Sequence, residues 1–206
     1  MNKKLIIFDM DGTLVNSSIT IANAINYVRK NLGFKAMDPE QILRMVNDHT
    51  LNPAKTFYHA DAFDSDHERW FSEYYSQHHD KELALYSGIT ALLNALKDTD
   101  HILAVATNAY RISTIESLTH LNIYHYFDTI ACYDDVEKGK PYPDMLHKIL
   151  NELNHKKEDT IFIGDGPRDE MASKNAGISY IMVDWGFTEH DNAVCSVEAL
   201  HDLLLK

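Results

Sequence analysis

The 206-residue sequence has no apolar run approaching the ~20 residues that a membrane-spanning helix needs. Cysteine is almost absent: Cys132 and Cys195 are the only two, without metal-ligand spacing, and both read as reduced thiols of a cytoplasmic protein. Positive charge is scarce. Nineteen Lys and Arg face 31 Asp and Glu, a formal net charge of −12. That balance repels nucleic-acid backbones and anionic lipid, so neither is an expected partner. It also repels an anionic substrate unless a cation or a local basic group intervenes. Internal repeats and low-complexity tracts are missing. Lysines precede Leu5–Phe8, but the apolar stretch stops at Asp9, far short of a secretory core, and reads as a first β-strand. The twelve histidines are scattered; His78-His79 and Asp66-His67-Glu68 match no ligand pattern and read as solvated helix faces.

Hydrophobic residues make up 45% of the chain, enough for a core, and its length suits one core domain plus a smaller unit. Helical spacing links Ile21, Ile25, Val28 and Leu32, with Ser17 or Ser18 as candidate cap. Pro39 opens a second helix carrying Ile42, Leu43 and Val46. Two more helices are expected over 53–59 and 65–79, with Trp70, Phe71, Tyr74 and Tyr75 as core. From Gly88 on, helices and strands alternate: helix 89–96, strand 101–106, helix 112–121, strand 128–132, helix 143–153, strand 160–163, helix 168–175, strand 179–183 and helix 197–204. The expected fold is α/β: a Rossmann-like parallel sheet with helices on both faces and an inserted all-helical cap. The core would comprise residues 1–15 and 86–206, and the cap residues 16–85.

Parallel open sheets bind ligands beyond the carboxyl ends of their strands. Four polar clusters fall there: Asp9-Met10-Asp11-Gly12-Thr13, Thr107-Asn108, Gly139-Lys140-Pro141, and Gly164-Asp165-Gly166-Pro167-Arg168-Asp169. Asp9 and Asp11, on a turn opened by Gly12, can point oxygens into one pocket, and Asp165 and Asp169 add more. An oxygen-only donor set suits a hard cation, Mg²⁺ when phosphate is also bound. Lys140 offers a point charge to a phosphate oxygen, and the Thr107 hydroxyl a neutral donor. These groups offset the repulsion between a carboxylate nucleophile and a phosphate. Taken singly, each has an ordinary reading: Asp9 and Asp11 as turn and cap, Thr107 as a strand end, Lys140 as a solvated lysine, Asp169 as a helix N-terminal acid. The constellation promotes them.

Asp-Met-Asp-Gly-Thr-Leu at 9–14, Thr107-Asn108, Gly-Lys-Pro at 139–141, and Gly164-Asp165 closed by Asp169 resemble the four motifs of the haloacid dehalogenase-like hydrolase superfamily. The resemblance runs from Ile6 to about Asp184 and looks closest to the phosphoglycolate-phosphatase-like branch, which carries a helical cap after its first motif. Asn16 stands where an aspartate is common and Ser87 where a proline is common; neither departure touches the chemistry. The resemblance implies that Asp9 attacks phosphorus and forms an aspartyl-phosphate, with Asp11 as general acid and then base. It implies that Thr107 and Lys140, helped by Gly12 and Asn108, hold the phosphoryl group. Asp9, the Asp11 carbonyl and Asp165 would bind Mg²⁺ directly, and Asp169 through a water or by orienting Lys140. The expected enzyme is a phosphoric monoester hydrolase acting on a small molecule, as monomer or homodimer.

The stretch Arg44 to Thr50 breaks its helical pattern with Asn47, Asp48 and His49. In relatives with this cap the corresponding loop reaches the site, so Arg44 and His49 are candidate contacts to a hydroxy acid, sugar or nucleoside leaving group; an ordinary helix–helix loop is the alternative. Phosphoglycolate is the leading substrate by resemblance alone. Among rivals, dehalogenases of the superfamily lack a second aspartate at Asp11, and a phosphonate hydrolase needs a cap lysine in special context. A phosphomutase and a non-enzymatic phosphoacceptor signalling module remain as alternatives; the latter are shorter and lack both Asp-x-Asp-Gly-Thr and an inserted helical block.

Overall fold

A computed structural model describes residues 4–46, 51–186 and 192–205, with backbone alone at 79 and 80. Its chain forms two compact units, residues 1–16 with 84–206, and residues 17–83.

The first unit is built on a five-stranded sheet. Its strands are β1 (Leu5–Phe8), β4 (Ile102–Ala106), β5 (Thr129–Ala131), β6 (Thr160–Gly164) and β7 (Ser179–Met182). They are ordered β5-β4-β1-β6-β7, and every adjacent pair is parallel. β1 lies at the centre because all four of its residues are apolar and can be buried on both faces. Leu5 and Ile7 join a cluster with Met145, Leu146 and Ile149 of α7 (Asp144–Glu152) and Ala172 of α8 (Pro167–Ala176). Ile6 and Phe8, on the opposite face by strand alternation, are fully buried as well. The expected α/β sheet is therefore present. Helices α5 (Ile89–Asp98), α6 (Arg111–His120) and α9 (Val197–Leu205) complete the alternation close to its expected bounds.

Two strands escaped the sequence. β2 (Val15–Asn16) and β3 (Ala84–Leu85) form an antiparallel pair. Two residues carry no readable periodicity, and the pairing partner lies about 70 positions away.

The second unit holds α1 (Ser18–Asn31), α2 (Pro39–Val46), α3 (Pro53–Tyr58) and α4 (Ser65–Glu82). Ala22, Ile25, Val28, Ile42, Phe57 and Tyr58 form its core, with Trp70 and Phe71 packed against it. Tyr74 is used differently: it is half-buried, stacks on His78 at 4.0 Å and donates its hydroxyl to Glu82 at 3.0 Å. Ser17 is the N-cap residue of α1, but its side chain makes no cap hydrogen bond. His67 is a second correction. It is 4% exposed, not solvated, because its ring stacks on Tyr58 at 4.8 Å while Nδ1 accepts from the Asp64 amide at 3.2 Å. No helix among the described residues is long and apolar enough to cross a membrane.

Candidate active site

Each site loop leaves the carboxyl end of a sheet strand in the first unit. The Asp9 amide donates to Ile163 at 2.8 Å, prolonging the β1–β6 ladder by one residue and fixing where the Asp9 side chain starts. The chain then turns tightly: the amides of Leu14 and Val15 both donate to the Met10 carbonyl at 2.9 Å. Gly12 sits in this turn at φ +82°. A Cβ there would fall 2.0 Å from Asp165 Oδ2, so glycine is required by conformation and by space. A Cβ on Gly164 would likewise come within 2.6 Å of the Asp169 side chain.

Thr107 follows β4, donates its amide to Ala131 at 3.0 Å and accepts at Oγ1 from Ala109 N–H at 3.1 Å. A hydroxyl that accepts still has a proton to donate. Asn108 grips the main chain of Lys140 from both sides: Oδ1 accepts from its N–H at 2.8 Å and Nδ2 donates to its carbonyl at 3.0 Å. Asn175 donates to the next carbonyl, that of Pro141, at 3.1 Å. The side-chain amide of Asn108, expected against phosphate, bonds the main chain of Lys140 in this structure.

The side chains of these loops converge. Lys140 Nζ lies 2.5 Å from Asp9 Oδ1 and 2.6 Å from Asp169 Oδ1, although Asp9 and Lys140 are 131 positions apart. The Phe162 ring centroid lies 5.5 Å from the same ammonium, within cation–π range. Asp9, Asp165 and Asp169 each bring a carboxylate oxygen within 4.8 Å of the others. Asp9, Asp169 and Lys140 are all buried. Asp11 lies outside this trio of carboxylates and bridges to Val15 through its backbone.

One ammonium cannot balance three carboxylates in such a place. Burial raises the Asp9 carboxyl well above its ordinary range; Lys140 pulls it down, and Asp169 and Asp165 push it up again. Asp165 is raised to about 7, first by burial and then by Asp169. Burial lowers Lys140, but Asp169 and Asp9 more than offset it, so the ammonium stays charged. The site is short of positive charge and offers only oxygen donors, which is the condition a hard divalent cation relieves.

A sequence model of haloacid dehalogenase-like hydrolases matches residues 6–183. The chain belongs to the haloacid dehalogenase-like hydrolase family. It is accordingly an enzyme, a hydrolase, and its named relatives are phosphatases. A pyrophosphatase PpaX from Halalkalibacterium halodurans is 29% identical, over 93% of this chain and 88% of that protein. A phosphoglycolate phosphatase from Aquifex aeolicus is 28% identical, over 93% of this chain and 89% of that one. A haloacid dehalogenase-like family hydrolase from Streptococcus pneumoniae superposes with a TM-score of 0.81 at 26% identity, covering 98% of each chain.

Arg44 is exposed on α2 of the second unit, and His49 lies outside the described residues. Sequence reasoning missed Phe162, Tyr180 and Trp185. Phe162 precedes Gly164 by two on β6, so strand alternation alone puts it on the face that Asp169 contacts. Trp185 donates Nε1–H to the Thr13 carbonyl at 3.0 Å across 172 positions, a pairing with no local signature.

Proposed function

We propose that this hydrolase is a Mg²⁺-dependent phosphatase that cleaves a small-molecule phosphate monoester through an aspartyl-phosphate on Asp9. The observation that carries the reading is the Asp9 carboxylate, buried at the end of the central strand, 2.5 Å from a lysine ammonium and beside two further carboxylates. A buried carboxylate in that company is a poor structural element and a suitable nucleophile.

In the proposed reaction an Asp9 oxygen attacks phosphorus, and the bond from phosphorus to the leaving oxygen breaks. Asp11 gives that oxygen its proton. Asp11 then takes a proton from the water that attacks the aspartyl-phosphate, which releases inorganic phosphate and restores both carboxyls. Thr107 O–H and Lys140 Nζ hold the phosphoryl oxygens, beside the Gly12 turn. Asn108 acts by holding Lys140, and Asp169 by orienting its ammonium. Asp9, the Asp11 carbonyl and Asp165 would hold Mg²⁺, with Asp169 behind them. When bound, the cation supplies charge neutralisation between carboxylate and phosphate. Leaving-group selectivity is assigned to the stretch from Arg44 to His49 on its sequence resemblance alone. The substrate class extends from phosphoglycolate-like hydroxy acids to sugar and nucleotide phosphates.

The test is phosphate release from a series of esters of graded leaving-group pKa, comparing wild type with Asp11→Asn. The acid role predicts that Asp11→Asn loses most on the poorest leaving groups. An equal loss across the series would remove Asp11 from that role.

A further inference from the structure

Tyr180 stands opposite Phe162 in the β6–β7 pairing. Its hydroxyl lies 2.9 Å from the Gly164 carbonyl and 3.3 Å from the Gly166 carbonyl. These are the residues on either side of Asp165. The single hydroxyl proton therefore serves the Gly164 carbonyl, with Gly166 as the more distant second acceptor.

The other bonds to these carbonyls come from main chain. Gly164 O accepts from Val183 N–H at 2.9 Å, and Gly166 O from the amides of Asp169 and Glu170 at 3.0 and 3.2 Å. The first ties one shoulder of the Asp165 loop to the strand end of β7, and the others tie the second shoulder to the first turn of α8. The Tyr180 hydroxyl bonds the first shoulder and lies 3.3 Å from the carbonyl of the second. Between two residues without side chains, such bonds are what fixes the peptide planes that aim Asp165. The ring behind this hydroxyl is also anchored, its centroid 6.0 Å from that of Phe162, which in turn lies under the Lys140 ammonium. Tyr180 thus connects the Asp165 loop to the aromatic wall behind Lys140 through main-chain carbonyls.

We propose that Tyr180 is a positioning residue: its hydroxyl holds residues 164–166 so that the Asp165 carboxylate stays grouped with those of Asp9 and Asp169 for the cation. This rests on the divalent-cation reading of the site. Supporting groups of this kind typically contribute about 10- to 100-fold to metal affinity.

The experiment is direct titration of wild type, Tyr180→Phe and Tyr180→Leu with Mn²⁺, followed by electron paramagnetic resonance of the free ion. Thermal unfolding in chelator is recorded alongside. Tyr180→Phe keeps the ring and removes the hydroxyl. It is expected to raise the Mn²⁺ Kd about tenfold, to unfold near the wild-type temperature in chelator, and to recover its rate at saturating metal. A Tyr180→Phe variant with the wild-type Kd overturns the proposal, whether or not Tyr180→Leu binds more weakly, because the effect then belongs to the ring's packing. A wild type that binds no Mn²⁺ overturns the cation reading and the role of Tyr180 with it. A wild type that binds, beside an unaltered Tyr180→Phe, sinks the role of Tyr180 alone.

Discussion

The two units treat their buried polar groups in opposite ways. In the second unit Arg29 is 8% exposed, yet its guanidinium is spent on main-chain carbonyls, donating to Lys35 at 3.0 Å and to Phe57 at 2.5 Å. His67 is likewise turned to local ends, bonding the Asp64 amide and stacking on Tyr58. In the first unit Asp9, Asp165 and Asp169 crowd together, and the Lys140 ammonium pairs with Asp9 and Asp169. The first arrangement satisfies buried polar groups. The second crowds carboxyls whose ionisation burial and one another disfavour, which costs stability in the isolated chain and suits a cation and a phosphoryl group. Buried charge alone therefore does not mark a site; like charges crowded together in one buried place do.

Chelation should break this contrast most completely. Activity is expected to fall to background in chelator and to return with Mg²⁺, and a rate indifferent to chelator would contradict the proposed cation. Next in size is Arg29→Leu, which strands the Phe57 carbonyl at a buried bond and the Lys35 carbonyl at a part-buried one, and should cost about 3 kcal/mol of stability. Its turnover per folded molecule should match wild type. Denaturant unfolding and a burst-free rate assay on the soluble fraction would check both halves; a specific loss of turnover would place Arg29 in the machinery.

Asn108→Ala sharpens the comparison from the other side. It frees the Lys140 main chain while leaving every charge in place. A fall of about tenfold in kcat/KM is expected, since small misplacements of reacting groups are costly, and wild-type kinetics would show that the Asn108 clasp does not position Lys140. The smallest effect concerns the part-buried pair of Arg111 and Asp135. Burial raises the Asp135 carboxyl, but hydrogen bonds from Arg111 and the Cys132 amide outweigh it, so its pKa is lowered. A carboxyl depressed on folding contributes stability above its unfolded pKa and loses it as pH falls through the folded value. The stability difference between wild type and Asp135→Asn should thus narrow as pH drops below about 4; a gap constant from pH 7 to pH 3 would show that the Arg111–Asp135 pair is not its source.

The site's parts were legible because its loops follow runs that can only be buried strands. Leu5 to Phe8 is wholly apolar and ends on Asp9; Thr160 to Ile163 ends on Gly164-Asp165. A strand shows its end where the apolar pattern stops, and ligands gather at such ends. What stayed hidden depends on partners far away in the chain. The Asn108 clasp joins positions 32 apart, Trp185 reaches Thr13 across 172, and Tyr180 reads as one more strand residue until β7 is laid beside β6. His67 looked solvated because Asp66 and Glu68 flank it, whereas burial follows the helix face it shares with Tyr58 and Phe63 contacts, not its neighbours in sequence.

The most direct test of the crowded carboxyls around Asp9 is one variant read two ways. Asp9→Asn keeps the shape and removes one of the three facing carboxylates. Measured in chelator, its melting temperature should equal or exceed that of wild type, while phosphate release with Mg²⁺ present should be abolished. A clear loss of stability, or turnover near the wild-type rate, would contradict the account.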